Sequence, residues 1–426
     1  MDKFLYKAIS LSKTNNFKTY TSEIWANFQY SRNKVKQGWK IHVSTNPSQL
    51  NFVLSKVVPV LFNLKVNFKI VRSYTALAEL NKDIFQNSKV VTVYPVSDNQ
   101  FKVIIRELQD VLGKLTGPRI ITDRCVNEYS PVQYRYGSFT NYFINEYGQR
   151  IDFVYDKNGK IVLDKRDDEY NRPLWLKDPL GKNDLIKGRL ENYKFLGFIS
   201  KGSKLICLAK YYNTDQKVII KQVKRFLENK DEVLYEKLIK HEYIMLKKLN
   251  GFLGTPVAVE IFEENRIVNL VTKANDSQSL NSYVETRYFT ANPLSDTECK
   301  SLMVAAFNLI EGFHKHKCIL GDVSPNNIVI NADGNLSFVD FDYAYFEGEK
   351  WYRGNTYGFI PPTKIKKEYM RDNYSLAGLL FFIATGRSPF PKYSLPRVKR
   401  LLKLIRPTIA DDVYNMMRDI IYSGNI

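Results

Sequence analysis

Cysteine is scarce in this sequence, and its four residues lie far apart along 426 positions. There is no Cys-x-x-Cys pair and no continuous apolar segment near the N-terminus, so neither a disulfide framework, a thiolate zinc site nor a secretory signal is expected. No run of eighteen uncharged apolar residues occurs either, which argues against a transmembrane helix. We therefore expect a cytoplasmic protein with no membrane association.

Acidic residues are in deficit, with 44 Asp and Glu against 63 Lys and Arg and a net charge of +19. Such an excess favours anionic partners, among them nucleotide phosphates or an acidic peptide. The basic residues are spread along the chain and form no polybasic run. This distribution argues against a nucleic-acid partner.

Internal repeats and low-complexity tracts are missing, and the length favours two domains. Residues 165–183 are charged, contain two prolines and lack periodicity, so we place the boundary there, with domains at 1–182 and 183–426. In the first domain WKIHVS (39–44) and KVVTVYP (89–95) alternate like strands, while residues 50–64 and 100–115 have helical spacing. A hairpin is expected around the turn 156–159. The fold class predicted for the first domain is α+β.

The second domain begins with short strand patterns at 193–200, 204–212 and 217–223, followed by a predicted helix over 228–249. Beyond Ser295 the pattern is mostly helical, broken by a strand-loop-strand segment at 318–342. A small sheet followed by a helical part is the order of a bilobal protein kinase.

Phosphoryl transfer requires a carboxylate that orients the attacking hydroxyl, together with oxygen ligands for Mg²⁺. Asp322, Asn327 and Asp340 provide this set within one strand-loop-strand segment. The five-residue step from Asp322 to Asn327, and the hairpin before Asp340, resemble the catalytic and metal loops of the protein kinase family. The resemblance implies Asp322 as the catalytic residue, Asn327 and Asp340 as metal ligands, and ATP or GTP with Mg²⁺ as cofactors.

Four upstream residues complete the resemblance. Lys221 ends a strand and Glu242 lies in the following helix, similar to the Lys and Glu that hold nucleotide phosphates in kinases, although Glu236 is an alternative. Gly197 and Gly202 resemble the glycine-rich nucleotide loop. The middle glycine of that loop is replaced by isoleucine.

Several positions depart from the protein kinase pattern. Leu320 and Gly321 replace the usual His-Arg, Ser324 replaces a common Lys, and Asp342 replaces the Gly of the metal motif. Control through a phosphorylated activation loop is therefore not expected, and kinases of small molecules remain an alternative. Asp372 resembles the helix residue that braces the catalytic loop.

The first domain places Lys40 and His42 on one face of a strand. Together with Lys89, the segment 117–124 and the segment 134–139, they resemble the lyase domain of class III and class IV lanthipeptide synthetases, which is related to phosphothreonine lyases. The resemblance implies that Lys89 removes the α-proton of phosphoserine or phosphothreonine and that His42 protonates the leaving phosphate. The expected catalytic residues are Lys89, His42 and Lys40, and the expected phosphate ligands are Arg119, Arg124, Arg135 and Tyr136.

The whole pattern resembles the front part of a class III lanthionine synthetase. This implies nucleotide-dependent phosphorylation of Ser and Thr in a bacterial precursor peptide with a leader, followed by elimination to dehydroalanine or dehydrobutyrine. The family's C-terminal cyclase has no counterpart before Ile426, so we expect either a longer protein cut after the kinase region, with a helical pattern at 411–424, or a separate cyclase. Three alternatives stay open: a small-molecule kinase or a kinase of another protein, each with an N-terminal substrate-binding domain, and a non-catalytic scaffold. The oligomeric state is left open.

Overall fold

A computed structural model of the chain describes residues 3–31, 35–139, 143–146, 149–164, 172–182, 188–290, 292–354, 356–361, 365, 367–387, 411, 415 and 418. Parts of the expected linker (165–171 and 183), the residues 388–390 and most of the helical pattern at 411–424 lie outside the described residues. Two compact units divide the chain. The first comprises Met1–Asp215, Ile220–Lys237 and Phe262–Asn269, and the second comprises Gln216–Ile219, Leu238–Ile261 and Leu270–Ile426.

Up to residue 164 the helices and strands are, in chain order, α1 (Lys3–Thr14), β1 (Lys18–Thr21), β2 (Trp25–Gln29), β3 (Gln37–Ser44), α2 (Leu50–Asn63), β4 (Asn67–Val71), α3 (Tyr74–Leu80), β5 (Lys89–Tyr94), α4 (Asp98–Leu112), β6 (Arg124–Cys125), β7 (Val132–Ser138), β8 (Phe143–Glu146), β9 (Gln149–Tyr155) and β10 (Ile161–Leu163). The strands expected at 39–44 and 89–95 and the helices expected at 50–64 and 100–115 are confirmed as β3, β5, α2 and α4.

A seven-stranded sheet in the order β1-β2-β4-β5-β3-β7-β6 forms the centre of this region, and its paired strands are antiparallel. Helices α2 and α4 bury apolar residues at spacings of three and four against it. On β3 the core face carries Trp39, Ile41 and Val43. Because strand side chains alternate, Lys40 and His42 lie on the opposite face.

A smaller antiparallel sheet, β10-β9-β8, follows in the chain. Its β9 and β10 pair with Ile161 opposite Tyr155. The connecting turn contains Gly159 at φ 78°, a conformation that favours glycine. The hairpin expected around residues 156–159 is confirmed.

After residue 188 the helices and strands are β11 (Tyr193–Lys201), β12 (Leu205–Tyr211), β13 (Lys217–Lys224), α5 (Tyr235–Leu249), β14 (Ala258–Glu264), β15 (Ile267–Lys273), β16 (Ser277–Ser279), α6 (Leu280–Phe289), α7 (Asp296–Lys315), β17 (Cys318–Ile319), β18 (Ile328–Asn331), β19 (Leu336–Phe338), β20 (Tyr345–Phe346) and α8 (Glu368–Thr385). The sheet order is β11-β12-β13-β15-β14, and β16-β18-β19 and β17-β20 form two small sheets. The small sheet and the mostly helical region expected here are confirmed.

The expected start of the helix at residue 228 is wrong, because α5 begins only at Tyr235. The Asn229 side chain accepts hydrogen bonds from the backbone N–H groups of Asp231 and Val233, which forms a turn instead of helix. Glu232 has a positive φ of 60°. Side-chain competition for backbone donors thus overrides helical spacing in this segment.

Within the part of the chain that the structure describes, no helix is both long enough and apolar enough to cross a membrane.

Candidate functional site

Four polar residues of the first unit share the face of the large sheet opposite α2 and α4. Lys40 on β3 is paired with Arg135 on β7, and Ser44 on β3 is paired with Lys89 on β5 across a β-bulge. Directly opposed residues of antiparallel strands lie on the same face. Strand pairing therefore brings Lys40, His42, Lys89 and Arg135 to one surface.

His42 is buried, and its Nδ1 forms a hydrogen bond with Oδ2 of Asp123. The hydroxyl of Thr122 donates to the other Asp123 oxygen at 3.0 Å. Sequence reasoning assigned no role to Asp123, although it stands next to Arg124. We call Lys40, His42, Lys89, Asp123 and Arg135 the sheet-face cluster.

Burial is the largest cause that places the pKa of His42 below its ordinary value; Asp123 opposes this shift, while Lys89 and Lys40 add to it. Burial alone would raise the pKa of Asp123, but His42, Lys89 and Arg135 outweigh it and keep that pKa below its ordinary range. The pair therefore consists of a carboxylate and a neutral imidazole at neutral pH. Because Asp123 accepts the Nδ1 proton, neutral His42 carries its lone pair on Nε2.

The position of Lys89 is fixed by the residues immediately before it. Its side chain is 7% exposed, and Nζ donates to Oε1 of Gln86 at 3.2 Å. Ser88 has a φ of 68°, which is uncommon for a residue other than glycine. This strained turn directs the amine at the start of β5.

Gly137 on β7 provides space for two charged groups, the side chains of Lys40 and Asp164. Arg135 forms an ion pair with Asp164, which follows β10. A Cβ atom on Gly137 would lie 3.0 Å from Oδ2 of Asp164 and 3.4 Å from Nζ of Lys40. A side chain here would therefore disturb Lys40 and the partner of Arg135 together. Sequence reasoning missed Asp164 and included Gly137 only as part of the segment 134–139, without a role of its own.

The other predicted phosphate ligands are not members of the sheet-face cluster. Arg119 is buried, and its Nη1 donates to the backbone oxygen of Asn265 at 2.6 Å. Arg124 is paired across the strands with Tyr134, on the core face, and forms a buried ion pair with Asp178 at 2.6 Å.

Tyr136 follows Arg135 directly on β7, so its ring points to the core face and contacts Trp39 at 5.5 Å between ring centroids. Strand alternation is the physical reason that neither Arg124 nor Tyr136 joins the cluster. As a correction to the expected phosphate ligands, we leave both out of the site.

In the second unit Asp322 lies at the centre of a hydrogen-bond network. Asn327 donates to the Asp322 backbone oxygen at 2.8 Å, and Thr356 donates to the carboxylate from its hydroxyl at 2.8 Å and from its backbone N–H at 3.2 Å. A Cβ atom on Gly354 would approach the Asp322 side chain to 2.3 Å, so this position requires glycine. Thr356 and Gly354 were not singled out from the sequence.

The pKa of Asp322 is raised to about 6, mainly by burial and also by the carboxylates of Asp342 and Asp340, against the opposing hydrogen bonds of Thr356. Three carboxylates thus lie within electrostatic reach of one another. This accumulation of negative charge suits a cation or a hydroxyl donor.

The bracing role expected of Asp372 is confirmed. Its carboxylate accepts the backbone N–H groups of Leu320 at 2.7 Å and Gly321 at 3.0 Å, and it contacts His314 at 3.1 Å. Gly321 has a φ of 73°, and a Cβ atom there would lie 2.4 Å from the backbone oxygen of Tyr343. The Gly that replaces the usual Arg is therefore required by the backbone.

The predicted nucleotide-binding residues lie in both units. Gly197, Gly202 and Lys221 belong to the first unit and Glu242 to the second. Lys221 and Glu242 are both buried. A Cβ atom on Gly197 would meet no protein atom within 4 Å, so internal packing does not explain this glycine.

The described residues contain no group of three or more His, Cys, Asp or Glu side chains arranged to hold a metal ion. Magnesium in phosphoryl transfer needs fewer protein ligands, because phosphate and water oxygens complete its shell. Since the Asn327 amide nitrogen donates to Asp322, its amide oxygen remains an acceptor. This oxygen and the Asp340 carboxylate fit that mode of binding.

Comparison with known families agrees with this division of sites. Residues 6–190 match the model of the RamC N-terminal domain, and residues 193–415 match that of the protein kinase domain. The second match covers more than half of the chain, so the chain belongs to the protein kinase domain family. It is a phosphotransferase by membership, with a RamC-type domain ahead of the kinase domain.

Among individual proteins, the chain is similar to a probable SapB synthase of Streptomyces coelicolor, with 25% identity over 374 residues that cover 80% of this chain and 39% of that protein. It is also similar to cyclin-dependent kinase-like 4 of Mus musculus, with 28% identity over 174 residues, 38% of this chain and 49% of the relative. Cyclic-GMP-dependent protein kinase 2 of Rattus norvegicus is 26% identical over 219 residues, 49% of this chain and 24% of the relative. The chain spans less than half the length of each of these relatives.

Proposed function

We propose that this chain phosphorylates Ser and Thr residues of a ribosomally made precursor peptide and then eliminates the phosphate to give dehydroalanine and dehydrobutyrine. The observation that carries the proposal is the sheet-face cluster, in which two lysines, an arginine and a His-Asp pair converge in a chain that also has a kinase domain. The similarity to a SapB synthase over 80% of this chain supports a peptide substrate.

In the first reaction Asp322 orients the peptide hydroxyl and accepts its proton as the γ-phosphoryl group is transferred. Lys221 and Glu242 are assigned to the nucleotide phosphates, and Gly197 and Gly202 to the glycine-rich loop. Asn327 and Asp340 would hold Mg²⁺, which neutralises phosphate charge when bound. ATP or GTP serves as the donor.

In the second reaction neutral Lys89 takes the α-proton, the carbon-hydrogen electron pair forms the Cα–Cβ double bond, and the Cβ–O bond breaks toward phosphate. This role requires the neutral amine of Lys89, which is buried and shares one face of the sheet with Lys40 and Arg135. Lys40 and Arg135 hold the phosphate charge that develops as the bond breaks. Arg119 acts at longer range, because its guanidinium is bonded to Asn265.

His42 protonates the departing phosphate. It is neutral in the unliganded protein, since its pKa is lowered, so it takes up its catalytic proton from water when the phosphopeptide binds. A phosphate monoester brings nearly two negative charges at neutral pH, and these favour the imidazolium form. Asp123 keeps Nδ1 bonded and directs the Nε2 proton to the substrate.

The test is the intact mass of a Ser-rich peptide, encoded beside this chain, after coexpression with the wild-type protein. Loss of water from the peptide is expected. In parallel, a synthetic phosphoserine peptide incubated without nucleotide should lose phosphate. A stable phosphate adduct in the first assay and an intact phosphopeptide in the second would reduce the function to that of a peptide kinase, and an unmodified peptide would favour a small-molecule substrate.

Phosphorylation should decline as the pH falls below about 6. The raised pKa of Asp322, about 6, means that its carboxylate is protonated in mild acid, where an ordinary Asp would still be ionised. Only the carboxylate can accept the hydroxyl proton, so the active form increases with rising pH. The pH profile of kcat/KM for peptide phosphorylation measures this; an acid limb at the ordinary Asp value would contradict it, and circular dichroism at each pH controls for unfolding.

A further inference from the structure

Lys224, the last residue of β13, is a buried cation to which the proposed chemistry gives no role. It follows Lys221 by three residues and is 1% exposed, within the first compact unit. Its Nζ donates to the backbone oxygen of Ile84 at 2.5 Å and to Oδ1 of Asn87. Both acceptors belong to the short segment that leads into Lys89.

Arg266 makes corresponding contacts with the segment that carries Asp123. Its guanidinium donates to the backbone oxygens of Gly117 and Ser130, the latter at 3.2 Å. These residues flank the loop that carries Asp123. The backbone oxygen of Asn265, one residue earlier, accepts the hydrogen bond from Arg119 at 2.6 Å.

The contacts of Lys224 and Arg266 reduce the folding free energy that the chain would otherwise gain. We call these two residues the anchors. Asn265 and Arg266 form the two-residue loop between β14 and β15 with φ values of 51° and 62°, a conformation that normally selects Asn-Gly. A buried lysine also loses hydration that only good partners restore. Sequence segments tend to retain such strain where it positions functional groups.

Lys224 lies within the electrostatic field of the sheet-face cluster. Burial holds the pKa of Lys224 well below its ordinary value, Arg119 and Lys89 lower it further, and Asp83 and Asp123 oppose this. The cation is thus close enough to Lys89 and Asp123 to interact with both. No other part of the proposed mechanism explains a lysine at this position.

We propose that Lys224 and Arg266, which come from the sequence region matched by the protein kinase domain, are positioning residues of the elimination reaction. Lys224 fixes the segment 84–89 so that the Lys89 amine faces the α-carbon, and Arg266 fixes the loop that presents Asp123 to His42. Neither touches the substrate. This inference rests on the proposed elimination and adds that the reaction depends on residues outside the RamC-type match.

The experiment measures elimination from the synthetic phosphoserine peptide by full-length Lys224→Met, without nucleotide. We expect kcat to fall by about 10–100-fold, the effect of displacing a reacting group by roughly 1 Å, with KM nearly unchanged because Lys40 and Arg135 keep their positions. Phosphorylation of an unmodified peptide by the same preparation should be retained, which controls for the folding of the chain.

Lys247→Met is the control. Lys247 is a lysine of α5 whose Nζ also donates to a backbone oxygen, that of Ala258 at 3.0 Å, and no described hydrogen bond joins it to the segment 84–89 or to the loop 117–130. Its elimination kcat should stay within about twofold of wild type.

A double variant, Lys224→Met with Asn87→Leu, separates positioning from stability. In Lys224→Met the buried side chain of Asn87 loses its hydrogen-bond donor, which should lower the melting temperature. Replacing Asn87 with Leu removes this unpaired group, so the melting temperature should return toward the wild-type value while kcat for elimination stays low. If kcat recovers together with stability in the double variant, or if Lys224→Met has the wild-type kcat, the positioning role is wrong but the proposed elimination still stands. A wild-type chain that leaves the phosphopeptide intact overturns the proposed elimination and this inference with it.

Discussion

Asp322→Asn should abolish phosphoryl transfer to the peptide and leave the chain at least as stable as the wild type. The amide cannot accept the hydroxyl proton, and general-base contributions of this kind amount to about 10²–10⁴ in rate. The hydrogen bonds from Thr356 limit rearrangement of the loop, because an amide oxygen still accepts the backbone N–H. Loss of dehydrated product in the coexpression assay follows, since no phosphopeptide forms.

The stability prediction follows from the sign of the pKa shift. The pKa of Asp322 rises from 3.8 to about 6 in the folded protein, so ionising this carboxyl costs the folded state as the pH rises through that interval. At neutral pH a neutral Asn removes this penalty, which by the shift is at most about 3 kcal/mol. Thermal unfolding of both proteins at neutral pH measures the difference.

Asp333→Asn is the control for this variant. Asp333 is an exposed residue in the turn between β18 and β19, so its replacement should change neither phosphorylation nor the melting temperature. A variant at position 322 that keeps wild-type phosphorylation would remove Asp322 from the reaction. A large fall in its melting temperature would show instead that the carboxylate supports the fold.

Lys89→Ala should trap the phosphorylated peptide. Without the amine the α-proton has no acceptor, and elimination should slow by about 10²–10⁴-fold. The kinase domain continues to add phosphate, so intact mass should show phosphate adducts where the wild type shows loss of water. The same variant should leave the synthetic phosphoserine peptide unchanged.

Lys82→Ala is the matched control, because Lys82 lies in the connection before Lys89, is exposed, and forms a surface ion pair with Glu79. It should dehydrate the peptide like the wild type. If Lys89→Ala still dehydrates the peptide, another group is the base and the assignment of Lys89 fails. If it neither phosphorylates nor eliminates, the variant has lost its fold.

Periodicity predicted much of the fold. The alternation around Lys40 and His42 predicted β3 and the shared face of these two side chains, and helical spacing predicted α2 and α4. The step from Asp322 to Asn327 predicted a catalytic loop, and the structure places the two residues in one hydrogen-bond network. Local pattern suffices where neighbouring residues determine which face a side chain occupies.

The sequence alone could not predict contacts between residues that lie far apart along the chain. His42 and Asp123 are 81 residues apart, and Lys224 and Asn87 are 137 apart, so only tertiary packing brings them together. Tyr136 is a different case, because strand alternation next to Arg135 already implied the opposite face. The late start of α5 at Tyr235 depends on the Asn229 turn, which helical spacing alone does not reveal.

Lys224 and Arg266 lie in the sequence region matched by the kinase domain, and this position has a consequence for building hybrid proteins. The two family matches end and begin between residues 190 and 193, which makes this point a natural crossover for joining the front of one relative to the kinase of another. In such a chimaera the kinase donor would determine the residues at positions 224 and 266, which contact the segments that carry Lys89 and Asp123. We expect functional recombinants to be restricted to kinase donors that have Lys and Arg at these positions, or to designs that transplant both residues together with the front segment.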